Sequence, residues 1–116
     1  MIDQDKIDKI TSYMKARHKE FPFLQYKIYD FLKAYGFEGD RFLSPNAKNM
    51  ETRTTNGKIS SYLYFYENRR FNISVALCYN KNRGSASASI DFKDYGITIE
   101  RIPFGKLVKI IKMIAE

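Results

Sequence analysis

Residues 59–92 read ISSYLYFYENRRFNISVALCYNKNRGSASASIDF, and this stretch decides the fold class. Three runs within it, 59–66, 71–79 and 85–92, alternate with period two, the pattern of strands with one buried face. The middle run is the clearest. Phe71, Ile73, Val75, Leu77 and Tyr79 fall on one side, and Asn72, Ser74, Ala76 and Cys78 on the other. In the third run Ala86, Ala88, Ile90 and Phe92 oppose Ser85, Ser87, Ser89 and Asp91. The first sets Leu63 and Phe65 against Tyr62, Tyr64 and Tyr66. Residues 67–70 and 80–84 are connectors of hairpin length. Asp94-Tyr95-Gly96 then turns the chain into a short fourth strand over 97–101, which predicts an antiparallel meander of three to four strands.

Downstream, Pro103 opens a helix over 103–116. Phe104, Leu107, Val108, Ile110, Ile111, Met113 and Ile114 cover most of its circumference, and Lys106, Lys109 and Lys112 form one stripe. Such a helix must pack on the apolar face of the sheet with its lysines outward. Upstream, Ile7, Ile10 and Met14 share a face of a helix over 3–18 that Asp3 can cap. Leu24, Ile28, Phe31, Leu32 and Tyr35 stripe a second helix over 22–35, closed by Gly36. The two predict a helical hairpin over 1–36. Residues 37–58 show no sustained period and predict a long basic loop, with Gly57 turning the chain into the first strand. The expectation is one α+β domain over 1–116: helical hairpin, long loop, sheet over 59–101 and C-terminal helix on one sheet face.

The chain's 116 residues are 44% hydrophobic and 28% charged, the balance of a folded protein and not of a disordered tail. One cysteine and one histidine exclude an intramolecular disulfide framework and a Cys/His zinc site. The N-terminus lacks an apolar signal core, and no run approaches the roughly 20 apolar residues of a membrane span, so a cytoplasmic location away from membranes is expected. Abundant Ile, Lys, Asn, Tyr and Phe, all encoded by AT-rich codons, point to an AT-rich genome such as that of a low-GC bacterium or its phage.

The formal charge of +7 is unevenly placed. Residues 1–40 carry seven basic and seven acidic side chains, whereas 41–83 carry eight basic against two acidic. Arg53, Lys58, Arg69, Arg70, Lys81 and Arg83 fall in the loop and the hairpin turns, where side chains are free to meet a partner. A polyanion such as nucleic acid is the partner this charge predicts. The alternative use of basic turns is solubility and edge protection. A regular meander sets Arg69 and Arg70 at the opposite end of the sheet from Lys81 and Arg83.

Tyr62, Tyr64 and Tyr66, placed on the outer face beside the small residues of the next strands, would offer flat rings for unpaired bases or a protein. Their plainer explanation is β-propensity, with the 37–58 loop covering them. The candidate binding residues are therefore Arg53, Lys58, Tyr62, Tyr64, Tyr66, Arg69, Arg70, Lys81 and Arg83. No cofactor is expected.

Catalytic motifs are sparse. Asp91-Phe92-Lys93 resembles the terminal D-x-K element of metal-dependent nucleases of the PD-(D/E)xK type, a resemblance that implies a metal-bound carboxylate and covers three residues. Glu67 is the one nearby acid, and it is expected in a turn. Asn56-Gly57-Lys58 lacks the glycine and Ser/Thr of a P-loop. His18 stands at a predicted helix end with no acid or nucleophile beside it in sequence, and Cys78 lies mid-strand among small residues. From Pro22 onward the order of elements is similar to that of double-stranded RNA-binding domains. The chain departs from them in the insertion over 37–58, in the fourth strand, and in spreading Lys106, Lys109 and Lys112 over two turns. The expected function is non-catalytic contact with nucleic acid. The alternatives are a module that binds a nucleic-acid-processing protein, such as a phage or mobile-element inhibitor, and a nuclease using Asp91 and Lys93.

Overall fold

The computed structural model describes residues 2–16 and 22–116. Helix α1 spans Gln4–Lys15, and the Asp3 side chain accepts from the Lys6 N–H to cap it. Ala16 is extended and ends the helix, and residues 17 and 18 of the first predicted helix, His18 included, lie outside the described residues. Pro22 to Leu24 are not helical. A single 3-10 turn, Gln25–Lys27, leads into α2, Ile28–Ala34, which is shorter than its apolar stripe predicts. Phe23 is the reason: its ring packs edge-on against Phe31 at 5.9 Å, which folds the segment back onto the helix. Gly36 closes α2 at φ +87°, a left-handed conformation that favours glycine.

Five strands follow, β1 Met50–Thr55, β2 Lys58–Asn68, β3 Ile73–Asn80, β4 Ser85–Phe92 and β5 Ile97–Ile102. They form one antiparallel sheet in sequence order, and α3, Phe104–Ala115, ends the chain. The α+β class agrees with the sequence. The strand count does not, because six residues of the predicted loop form β1. Asn56 and Gly57, both with positive φ, make a two-residue turn that pairs Thr55 with Lys58. That is the turn geometry that matches strand twist, and Asn-Gly is its usual sequence.

The helical hairpin is also corrected. Helix α1 lies against α3, where the Lys6 ammonium donates to the Ile114 and Glu116 carbonyls. An exposed amine at the last turn of a helix is favoured by that helix's dipole. Ile7 and Ile10 of α1, Ile28 and Leu32 of α2, and Leu107, Ile110, Ile111 and Ile114 of α3 form the apolar layer above the sheet. The three lysines of α3 stay outside this core, as their stripe predicts.

Residues 37–49 are pinned down despite lacking regular structure. Glu38 exchanges two backbone hydrogen bonds with Glu67, at 2.8 and 3.1 Å, and the Phe65 N–H donates to the Asn49 carbonyl at 2.9 Å. The loop thus completes the edge of β2 beyond the reach of β1. Phe42 enters the core with its ring 5.2 Å from Tyr64 and 5.7 Å from Phe104. At Gly39 the backbone passes so close that a β-carbon would lie 2.6 Å from the Tyr66 ring.

Candidate functional site

The predicted tyrosine platform is overturned by register. Tyr64 pairs with Leu77 and Tyr66 with Val75, so both share the core face with the apolar residues of β3. They are 2% and 0% exposed. Tyr62, opposite Tyr79, faces the same way and packs at the core margin. The Tyr66 hydroxyl donates to the Asp40 carbonyl at 2.8 Å and the Tyr64 hydroxyl to the Ser44 carbonyl at 3.3 Å. Burial pushes both phenols above their ordinary range, so they remain protonated donors that hold down the 37–49 loop.

The signal for this was in the turn. A connector with an even number of residues, here 69–72, pairs even positions of β2 with odd positions of β3. Tyr64 and Tyr66 must then lie on the same face as Ile73 and Val75, whatever their own chemistry.

The outer face carries what the tyrosines vacate. Leu63 and Phe65 of β2 stand along one side, Ser74, Ala76 and Cys78 of β3 with Ser87 and Ser89 of β4 form a floor of small residues, and Thr98 and Glu100 of β5 stand opposite. Sheet twist and small side chains leave two adjoining cavities in this face, of about 300 and 360 Å³. They share Ala76 and Ser89, so the face is one trough running along the strands.

The ends of the trough differ in charge. Antiparallel order brings the β1–β2 turn, the β3–β4 turn and the end of β5 to one end. The Lys81 N–H donates to the Ser60 carbonyl, which fixes the two turns side by side. Ser60 is the extra residue of a bulge opposite Arg53 and Thr54, and its hydroxyl donates to the Arg53 carbonyl. The next turn is equally built: the Asn80 carboxamide oxygen accepts from the Asn82 and Arg83 N–H groups, and Gly84 closes it at φ +64°. Arg53 and Lys58 on the strands beside the first turn, and Lys81 and Arg83 in the second, therefore lie at this end, and all four are exposed.

Arg101, exposed in β5, joins them, although charge and turn position alone do not single it out. Two residues, Glu100 and Arg101, separate Ile99 from Ile102 although both isoleucines face the core, because a bulge shifts the register against β4. Arg101 sits there at φ +56°, a left-handed conformation that costs a non-glycine residue about 1 kcal/mol. The broken alternation Ile-Thr-Ile-Glu-Arg-Ile is the mark that reveals it. Arg53 and Arg101 both line the 300 Å³ cavity, with Glu100 as the acid beside them. Among the described residues the salt bridge found is Lys93 with Glu67, and none of these five cations forms one there.

Arg69 and Arg70 occupy the opposite end, as expected. There Arg70 lies over the Phe71 ring at 5.1 Å. Glu67 proves to be a strand residue in one row with Ser74, Asp91 and Thr98 across the outer face. Its carboxylate takes hydrogen bonds from Lys93 and from Ser74, and Lys93 chiefly holds it below the usual carboxylate range. Asp91 accepts from Thr98 at 3.3 Å. The D-x-K pair and the acid thus share a surface, but Glu67 and Asp91 stand two strands apart, roughly 9.6 Å between backbones. Among the described residues no group of three His, Cys, Asp or Glu side chains could hold a metal.

Two arginines, three more unpaired cations at the same end, and a trough between them describe the site. No family model, curated protein or solved structure matches the chain. Among the described residues, no helix is long and apolar enough to cross a membrane.

Proposed function

We propose that this protein binds nucleic acid, without chemistry on it, through the end of the sheet that carries Arg53, Lys58, Lys81, Arg83 and Arg101. One observation carries this: five exposed cations lie on strand ends and a hairpin turn at one end of the sheet, and among the described residues none of them forms an ion pair. Unpaired cations near one another repel, and a polyanion relieves that repulsion by releasing its own counterions. Arg69 and Arg70 are left out of the interface, and Tyr62, Tyr64 and Tyr66 act by shaping the fold beneath it. Lys93, engaged by Glu67, is occupied instead of facing a phosphate, which supports binding over a nuclease role for Asp91 and Lys93.

The test is fluorescence anisotropy with labelled RNA and DNA. Four to five phosphate contacts from these five cations predict that affinity falls by roughly 50-fold or more between 50 and 200 mM salt. Lys58→Glu/Lys81→Glu/Arg83→Glu should abolish binding at 150 mM salt, while Arg69→Glu/Arg70→Glu stays within about threefold of the parent. Equal losses in the two variants would reject the assignment of the interface, and no binding at 50 mM salt would reject nucleic acid.

A protein partner is the second reading. It is supported by Phe65, 37% exposed, and Ile59, 39% exposed, both in β2. Affinity for such a partner would change little over the same salt range.

A further inference from the structure

The outer trough and the cationic end are continuous, and this says which form of nucleic acid fits. Arg53 and Arg101 stand at the rim of the 300 Å³ cavity, whose floor is Ala76, Cys78 and Ser87. A phosphate held by the two guanidiniums lies at the mouth of a recess whose depth comes from missing side-chain bulk. The neighbouring floor residues are alanine, cysteine and serine, where a sheet surface usually carries larger groups. The walls are three strand spacings apart, roughly 14 Å, room for one base with its sugar. Leu63 offers an apolar wall to a ring face, and the Ser87 hydroxyl and Glu100 carboxylate offer polar groups to a base edge. Among the described residues, neither Ser87 nor Glu100 takes part in a hydrogen bond through its side chain. Bases in a duplex are stacked and cannot enter such a recess, whereas an unpaired nucleotide can turn out of its strand.

We propose that the trough takes one unpaired nucleotide, with Arg53 and Arg101 on its phosphate, so that single strands are preferred over duplex. The inference rests on the nucleic-acid function above and names the form of the ligand. A duplex would still touch Lys58, Lys81 and Arg83 through its backbone, but without filling the recess.

Cys78, the one cysteine of the chain, reports on the recess directly because its partly exposed thiol is in the floor. Alkylation by iodoacetamide is followed by mass spectrometry at 50 mM salt, with a saturating mixed-sequence 12-mer as single strand or as duplex. The expected result is at least fivefold slowing by the single strand and less than twofold by the duplex. In parallel, Ala76→Leu, which fills the recess from an outward strand position, should weaken single-strand binding at least fivefold and leave duplex binding within twofold. Circular dichroism confirms that the variant is folded. Binding of both oligonucleotides with unchanged alkylation and no effect of Ala76→Leu overturns the recess and leaves the basic interface standing. Absence of binding to either oligonucleotide overturns both.

Discussion

The two ends of the sheet are both rich in arginine and lysine, yet they use those residues differently. At the end that holds the β2–β3 and β4–β5 turns, side chains knit the fold together. Asn68 is buried, donating to the Tyr35 carbonyl at 2.9 Å and accepting from the Phe71 N–H at 3.1 Å. Asn72 donates to Asp94 across the two turns, and Lys93 is taken up by Glu67. At the other end the turns are held by backbone geometry and by Asn80 and Ser60, and the cations are exposed, with no salt bridge among the described residues. At the first end Lys93 is held in an ion pair and Arg70 lies over the Phe71 ring, whereas at the second the five cations are exposed.

Substitutions can break this comparison. The largest effect is expected at the knitted end. Asn68→Ala leaves a half-buried carbonyl and a half-buried N–H without their partner and should cost about 1–3 kcal/mol in urea unfolding, with affinity per folded molecule unchanged. A loss below 0.5 kcal/mol, on the order of a surface substitution, would show that this end is not held as described. Next comes Tyr66→Phe. It keeps the ring and removes the hydroxyl that reaches Asp40, so a loss of about 1 kcal/mol is expected. Nucleic-acid affinity should not move, and a drop in affinity at constant stability would return Tyr66 to the interface.

A smaller effect belongs to the cationic end. Lys81→Glu/Arg83→Glu should change stability by less than about 0.5 kcal/mol, because the turn is built by Asn80 and Gly84. The same variant should reduce the slope of log affinity against log salt by about 2. An unchanged slope would remove these two residues from the interface.

The smallest effect sharpens the picture of Glu67. Lys93 lowers the Glu67 pKa in the fold, so the pair stabilises the protein above the ordinary glutamate value, and this is lost as pH falls through the lower folded value. Both side chains are more than a third exposed, so solvent screening limits the gain to a few tenths of a kcal/mol, roughly that of a surface pair. Urea midpoints at pH 6 and pH 3 should differ slightly less for Glu67→Gln than for the parent. An equal difference would assign the pair no role in stability.

Much of the fold was legible. Alternation in 71–79 and 85–92 marked the central strands and their core face, and the apolar circumference of residues 104–114 marked a buried helix. Asn56-Gly57 was a visible hairpin turn, but β1 itself is Thr-rich and exposed, with no apolar alternation to announce it. In 59–66 both faces carry large apolar side chains, so composition could not choose between them, and only pairing with β3 put Tyr64 and Tyr66 inside. Of the candidate site, Arg53, Lys58, Lys81 and Arg83 were named from charge and turn position. Arg101 was not, because its exposure depends on a bulge against β4.

The sequence by itself determined the α+β class, the core face of the central strands and the excess of positive charge in residues 41–83. These follow from local period and composition, which need no knowledge of neighbours. Tertiary structure decided which cations meet, which face the tyrosines take, and that a trough of small residues opens beside Arg53 and Arg101. Those depend on register and on the closing of turns far apart in the chain. A one-residue change in either exchanges the inside of a sheet for its outside.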